Sequence, residues 1–460
     1  MCDPLHRLAR VGLMTTDALA ARVDALMDQA TSDLIELVAI PSVSASSFDQ
    51  TQLDRSAAWV ADKARGLGLD AEVITLTTDS GLVGRPAVLA SRPAADGKPT
   101  VLLYAHHDVQ PPGSDAGWLS EPFVAVERDG RLFGRGTADD KAGILVHLTA
   151  IAAADPGVGI TLYVEGEEEV GSPTFVDFLT TYRDRLAADV IVVADSNNWK
   201  VGTPSLTTSL RGVCTVTMTL SVLDHALHSG MYGGPILDAV TLTSRLVATL
   251  HDDAGDVAVA GLTGYDTTEA DYPEVDLRAD SGVLDGVQFA GSGSLASRLW
   301  TKPAIAVVGM DVTPTDIASN TIIPSTKTVL SLRVAPGQDP AEAAQALVDH
   351  LKANVPFGAQ LDVTIDEMGP AFSAGEDTDV THMAREALET AWGAKSVDIG
   401  VGGSIPFIAD LKKIFPEADI LVTGVEDPDT RAHSQNESLH LGDWRNAVLA
   451  EAIMLTRLGE

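Results

Sequence analysis

The sequence predicts an α/β fold: a mostly parallel sheet with helices on both faces, interrupted by an inserted α+β domain. Two observations lead to this prediction. Short, continuous apolar runs alternate with helical patterns in the first and last parts of the chain, which is typical of parallel strands covered on both sides. After Leu210 the pattern changes to strict two-residue alternation, which is typical of strands with one buried face.

Helices and buried strands alternate in the predicted first domain. Apolar residues near helical spacing predict a helix over residues 16–40, which Pro41 ends, and a second over 53–67, which ends at Gly68. A third helix is predicted over 141–154 (KAGILVHLTAIAAA), between two strands. The buried strands are predicted at residues 100–105, 160–164, 190–194 and 420–423.

The inserted domain begins with a strand over 213–221, in which apolar and polar residues alternate. The elements predicted after it are a helix over 236–250, a strand over 329–334, a helix over 340–354 and a strand over 360–365. This order suggests a ferredoxin-like α+β sandwich. Residues 251–299, rich in Asp, Gly and Thr, form an insertion without a predicted structure. The predicted division is residues 1–210, then the inserted domain 211–373, then 374–460.

Composition excludes several classes of protein. The chain has 460 residues, of which 45% are hydrophobic and 21% charged, as expected for a globular protein rather than a disordered one. Acidic residues number 65 and basic residues 31, so the formal net charge is −34. Such a charge repels phosphate backbones and anionic membranes, so neither nucleic acid nor a membrane is an expected partner.

The cysteines and the N-terminus favour a cytoplasmic protein. Cys2 and Cys214 are too few for a disulfide framework, which favours a reducing compartment. No apolar stretch reaches the ~20 residues needed to span a bilayer. The first residues mix charged with apolar side chains and lack the apolar core of a secretory signal. Met1 and Met14 both remain candidate start residues.

Ionisable residues follow the predicted strands at the points where the strands end. His106 and Asp108 follow the first strand, residues 165–169 (EGEEE) the second and Asp195 the third. His433 lies in the loop after the fourth strand. Because ligands of open α/β sheets bind at the carboxyl ends of the strands, we expect these side chains to converge on one place.

Asp139, just before the predicted helix over 141–154, is a further candidate for this site. Two histidines with several carboxylates form a nitrogen–oxygen site that suits zinc, manganese or cobalt(II). Two divalent ions are favoured, because three carboxylates and one hydroxide would neutralise them. Glu168 and Glu169 offer one residue as a ligand and one as a general base. Each carboxylate alone is more typical of a surface position, so the prediction depends on their recurrence at strand ends.

The motifs around these residues resemble those of the M20 metallopeptidases, and within them the dipeptidase branch that includes carnosinase-like cytosolic dipeptidases. Residues 104–111 (YAHHDVQP) are similar to the His-x-Asp motif. Residues 134–143 (GRGTADDKAG) and 165–172 (EGEEEVGS) are similar to the next two motifs of the family. Residues 227–234 (LHSGMYGG) and 432–437 (AHSQNE) also resemble motifs of the dipeptidase branch.

The resemblance implies a role for each matched residue. His106, Asp139 and Asp195 would bind one metal ion. Asp139, Glu169 and His433 would bind the other, so that Asp139 bridges the two ions.

The remaining matched residues would act on the substrate or support the ligands. Glu168 would be the general base, and Asp108 would orient a ligating histidine. His228, Arg333 and Ser404 resemble substrate-contacting positions. The inserted domain would then be a lid that also forms a homodimer, with His228 reaching the partner's active site.

The expected function is metal-dependent hydrolysis of the amide bond of dipeptides, with two divalent ions per subunit. Zinc is the expected metal, with manganese or cobalt as the alternatives. One alternative function is an amidohydrolase of the same family that acts on N-acyl amino acids or succinyl-diaminopimelate. Another is a non-catalytic metal-binding scaffold, against which Glu168 and Asp108 argue because a scaffold needs neither.

Overall fold

The computed structural model describes residues 15–267, 270, 272–403 and 406–460. Their internal contacts divide the chain into two compact units. The first unit comprises the chain up to Pro204 together with Thr378–Ser396 and Ala418–Glu460. The second unit comprises Ser205–Asp377 and Val397–Glu417.

Helices and strands are numbered in chain order. The helices are α1 (Thr16–Val38), α2 (Thr51–Gly66), α3 (Lys141–Ala154), α4 (Phe175–Thr181), α5 (Arg183–Leu186), α6 (Ser229–Tyr232), α7 (Ala239–Val247), α8 (Glu274–Ser281), α9 (Leu295–Trp300), α10 (Pro340–Ala353), α11 (Asp379–Trp392), α12 (Pro406–Ile414) and α13 (Leu441–Leu458). The strands are β1 (Asp70–Ile74), β2 (Ala87–Arg92), β3 (Thr100–His106), β4 (Val126–Arg128), β5 (Arg131–Phe133), β6 (Gly159–Glu165), β7 (Val190–Val193), β8 (Ser205–Leu210), β9 (Gly212–Ser221), β10 (Leu227–His228), β11 (Ala304–Met310), β12 (Thr321–Ile322), β13 (Ser325–Val334), β14 (Gln360–Gly369), β15 (Phe372–Ser373), β16 (Val397–Val401), β17 (Asp419–Val422) and β18 (Ser438–His440).

Six strands of the first unit form one sheet in the order β1-β2-β6-β3-β7-β17. The four strands from β6 to β17 run parallel, and β1 and β2 extend the sheet antiparallel at one edge. Strands β3, β6 and β7 are buried along nearly their whole length, so both of their faces are covered. The predicted mostly parallel sheet is confirmed. The edge strand β1 was not predicted, because most of its residues are exposed and leave no apolar run.

Helix α3 anchors the loop that carries Asp139. Every residue of α3 except Ala152 is buried, and the helix packs against α1, α13 and β3. Its first residue, Lys141, donates hydrogen bonds from Nζ to the carbonyls of Leu37 (3.0 Å) and Ile40 (2.8 Å) at the end of α1. Burial lowers the pKa of Lys141 to about 7. These contacts fix the start of α3, and with it the position of the preceding loop.

The second unit contains a four-stranded antiparallel sheet in the order β11-β13-β9-β14. The chain order β9-α7-β11-β13-α10-β14 with this sheet order is ferredoxin-like, as predicted. Alternate residues of β9 are buried, and they form a core with α7 and α10. The edge strand β11 was not predicted, because it is half-exposed and interrupted by a bulge.

The predicted division placed residues 397–417 with the first domain, whereas the structure groups Val397–Glu417 with the second unit. The reason is that β16 pairs in parallel with β8, a strand of the second unit. The insertion 251–299, for which no structure was predicted, contains α8 and most of α9. None of the described helices combines the length and the apolar character needed to cross a membrane.

Candidate metal centre

The carboxyl ends of the parallel strands bring five of the predicted residues together in the first unit. His106 is the last residue of β3, and Asp195 follows β7. Glu169 lies in the turn after β6, and His433 lies in the loop between β17 and β18. Asp139 lies just before α3, in the loop that follows β5.

These five residues form two groups that share Asp139. In the first group, His106 Nε2 lies 3.1 Å from Asp139 Oδ1 and 3.9 Å from Asp195 Oδ1. In the second, His433 Nε2 lies 3.0 Å from Asp139 Oδ2 and 3.2 Å from Glu169 Oε2. The donor atoms of each group lie within 4.8 Å of one another. Each carboxylate oxygen of Asp139 therefore faces a different group.

The electrostatics of both groups fit divalent cations. Burial and the carboxylate of Asp139 raise the pKa of Glu169 to about 7, and burial raises the pKa of Asp195 to about 6. Hydrogen bonds with Asp139 and Glu169 raise the pKa of His433 to about 11. Burial and neighbouring carboxylates thus disfavour the charged forms of Glu169 and Asp195, which a divalent cation would favour. Imidazole and carboxylate donors in such a cluster could hold two divalent ions and suit zinc, manganese or cobalt(II).

His106 has its ring oriented by Asp108. The Nδ1–H group of His106 donates to the backbone oxygen of Asp108 at 3.0 Å, and Asp108 Oδ1 lies 3.4 Å from the same nitrogen. This tautomer leaves the lone pair of Nε2 free for a metal ion. The carboxylate of Asp108 also accepts hydrogen bonds from the backbone N–H groups of Glu168 (3.2 Å) and Glu169 (3.0 Å).

Glu168 directly precedes the ligand Glu169 and belongs to neither group. Burial raises the pKa of Glu168 well above its usual value; His106 opposes this rise, and the carboxylates of Asp195 and Glu169 add to it. A raised pKa makes a carboxylate a stronger base, as the acceptance of a proton from water requires.

Three residues that support the centre had no role assigned from the sequence. Gln110 donates from its backbone N–H to Glu169 Oε1 (3.0 Å) and from Nε2 to Glu169 Oε2 (2.7 Å). Arg135 and Glu437 form a buried ion pair at 2.7 Å, and Glu437 also accepts the backbone N–H of Asp139 at 3.2 Å. All three lie inside the recognised motifs, but their partners are distant in sequence, so no local spacing pattern would have revealed these contacts.

Two of the predicted substrate residues, His228 and Arg333, lie outside the first unit. His228 is exposed and caps α6, where its Nδ1 accepts the backbone N–H of Gly230 at 3.0 Å. Arg333 lies half-buried on β13. Ser404 lies outside the described residues.

The sequence of this chain matches the model of Peptidase family M20/M25/M40 over residues 102–456. The chain therefore belongs to this metallopeptidase family, as predicted.

Several dipeptidases are similar to it along nearly the whole chain. A cysteinylglycine-S-conjugate dipeptidase of Corynebacterium striatum is 33% identical, over 88% of this chain and 90% of the relative. A β-Ala-His dipeptidase of Rattus norvegicus is 27% identical, over 93% of this chain and 92% of the relative. The crystal structure of human carnosine dipeptidase 1 has a TM-score of 0.78 at 25% identity, with 96% of this chain and 98% of that chain covered.

Proposed function

We propose that this protein is a dinuclear metallodipeptidase, which hydrolyses the amide bond of dipeptides. The observation that carries the proposal is the sharing of Asp139 by two ligand groups, with Glu168 next to the ligand Glu169 in the chain and part of neither group. The names of the similar dipeptidases, which act on cysteinylglycine conjugates and on β-Ala-His, support dipeptides as the substrate class.

Two divalent ions complete the proposed centre. His106, Asp139 and Asp195 would hold one ion, and Asp139, Glu169 and His433 the other. Such ions polarise a substrate carbonyl and lower the pKa of water. Zinc is the proposed metal, because the donor set mixes imidazole nitrogens with carboxylate oxygens.

Glu168 is the proposed general base. It accepts a proton from the attacking water and later donates that proton to the leaving amine. Its position depends on Asp108, whose carboxylate holds the backbone N–H groups of Glu168 and Glu169. One buried carboxylate thus supports both the base and a neighbouring ligand.

The second unit supplies the proposed contacts to the substrate. Because His228 Nδ1 accepts a hydrogen bond from Gly230, the neutral ring carries its proton on Nε2, which can donate to an oxyanion. The guanidinium of Arg333 makes no hydrogen bond or ion pair with the residues that the structure describes, so it is available for a substrate carboxylate. Ser404 is the third proposed contact. A homodimer formed through this unit would let His228 serve the partner's site.

The decisive experiment measures turnover of free dipeptides and of N-acyl amino acids by the purified protein. Zinc, manganese and cobalt(II) are supplied in turn, with a chelator as the metal-free control. We expect hydrolysis of free dipeptides that the chelator abolishes and a divalent ion restores. Turnover of N-acyl amino acids alone would contradict the proposed substrate class. Two bound ions with no turnover of either panel would indicate a scaffold instead.

A further inference from the structure

The two ligand groups differ in what holds their histidines. His106 ends a central strand of the sheet and is fully buried. The side chain of His433 is 60% exposed and projects from the loop 431–437, which the hydrogen bond from Ser438 N to Thr430 O closes at its base (2.9 Å). Neither helix nor strand supports His433, so its position depends on contacts of that loop.

The backbone of this loop is held in an unusual conformation. Arg431, His433 and Asn436 have φ values of 58°, 60° and 62°, in the left-handed region that non-glycine residues rarely adopt. Because such a conformation is unfavourable for histidine by itself, surrounding contacts must maintain it. Asparagine tolerates this region better than other side chains, which suits it to a fixed point in the loop.

Asn436 links the loop 431–437 to the neighbouring loop 112–119. Its Oδ1 accepts the backbone N–H of Leu119 at 2.8 Å, and its Nδ2 donates to the carbonyl of Gly117 at 2.8 Å. One side-chain amide thus pairs with a backbone N–H group and a backbone carbonyl of the loop 112–119. Gln435 adds a single bond, from Nε2 to Ser114 O at 2.9 Å.

We infer that Asn436 is a positioning residue for the second ligand group. Through its two hydrogen bonds to the loop 112–119, it keeps His433 Nε2 within reach of Asp139 and Glu169. Its loss weakens binding of the metal ion at this group and spares the ion at the His106 group, because no hydrogen bond among the described residues joins Asn436 to His106. This inference rests on the proposed metal function and extends it to a residue outside the ligand sets.

The test compares the wild-type protein with Asn436→Gly. Glycine accepts a φ of 62° without strain, so this variant removes the amide and leaves the backbone conformation accessible. Metal-free protein is titrated with zinc ion in competition with a chromophoric chelator, and bound zinc is counted by mass spectrometry. We expect the first zinc ion to bind as in the wild type and the second about 10–100-fold more weakly, the usual range for residues that orient ligands.

Two further variants show whether the loss of zinc affinity in Asn436→Gly is specific to this amide and acts through His433. Ser434→Ala is the matched control in the same loop, since no hydrogen bond of its hydroxyl occurs among the described residues, and it should bind both ions normally. His433→Ala removes the ligand itself. If Asn436 acts through His433, adding Asn436→Gly to His433→Ala causes no further loss of zinc affinity.

Each other outcome overturns the inference in a recognisable way. Wild-type affinity for both ions in Asn436→Gly would show that the loop holds His433 without this amide. Equally weaker binding of both ions, or a further loss of zinc affinity in the double variant, would show that Asn436 acts on the whole unit. A wild-type protein that binds fewer than two zinc ions would contradict the proposed function itself.

Discussion

The buried pair of Arg135 and Glu437 predicts a large effect for the isosteric change Glu437→Gln. Glu437 is fully buried, and its carboxylate accepts four hydrogen bonds: from Arg135 Nη1 (2.7 Å) and from the backbone N–H groups of Gly136 (3.0 Å), Ala138 (3.0 Å) and Asp139 (3.2 Å). Glutamine keeps one acceptor oxygen but turns an NH2 group toward two of these donors. Arg135 meanwhile keeps its charge and loses its counter-charge.

The expected loss in the free energy of unfolding follows from the burial of this ion pair. Breaking a buried ion pair by removing one partner costs about 3–5 kcal/mol. The exposed pair of Arg65 and Asp62 has the same separation, 2.7 Å, but its side chains are 49% and 77% exposed. Exposed pairs contribute below about 1 kcal/mol, so Asp62→Asn is a matched control with the same chemical change. We expect Glu437→Gln to lower the free energy of unfolding by about 3–5 kcal/mol, and Asp62→Asn by less than about 1 kcal/mol.

The assay is denaturant unfolding of the metal-free proteins, so that bound ions do not contribute to stability. Tryptophan fluorescence suits the measurement, because the ring of Trp118 lies 5.7 Å from the Arg135 guanidinium. Equal losses for Glu437→Gln and Asp62→Asn would refute the reasoning, since burial would then make no difference to the pair.

Three other predictions concern the substrate, the dimer and pH. Arg333→Ala should slow cleavage of free dipeptides much more than of their C-terminal amides, and equal losses in kcat/KM would exclude a carboxylate contact. Mixing the inactive variants His228→Ala and Glu168→Ala should restore activity once subunits exchange; confirmed exchange without activity would place His228 in its own subunit's site. Burial lowers the pKa of His147, but the carboxylate of Glu451 outweighs burial and raises this pKa above its usual value. Stabilisation by this pair is thus complete below about pH 6.5 and is lost as pH rises through the folded-state pKa. Denaturation of His147→Gln should therefore show a larger deficit against wild type at pH 6 than at pH 9, and a larger deficit at pH 9 would reverse the assigned sign.

Two elements that were predicted well have burial that is uniform or strictly alternating. Helix α3 has the predicted bounds, because an apolar run of its length between two strands leaves no other solution. Strand β9 shows the predicted alternation, because one of its faces covers a core and the other does not. Edge strands β1 and β11 expose much of their surface, so their pairing depends on neighbours distant in sequence.

The residues of the metal centre also divide into those that could be predicted from the sequence and those that could not. The ionisable residues at the strand ends could be predicted to meet, because parallel strands direct their carboxyl ends to one edge of a sheet. Gln110, Glu437 and Asn436 could not be assigned, because only the folded chain brings them near the groups they contact: the Glu169 carboxylate for Gln110, and backbone N–H and C=O groups for Glu437 and Asn436. The grouping of β16 with β8 was missed for a similar reason, since a parallel pair between separate segments leaves no local pattern.

The central claim, that two metal ions and a non-ligating Glu168 perform the hydrolysis, is tested most directly by one comparison. Bound zinc and dipeptide turnover are measured on the same sample of Glu168→Gln and on wild-type protein. We predict two zinc ions in both proteins and a loss of turnover of at least about 100-fold in the variant, the usual scale for removal of a general base. Loss of a zinc ion in parallel with activity would make Glu168 a ligand, and undiminished turnover would exclude it as the base.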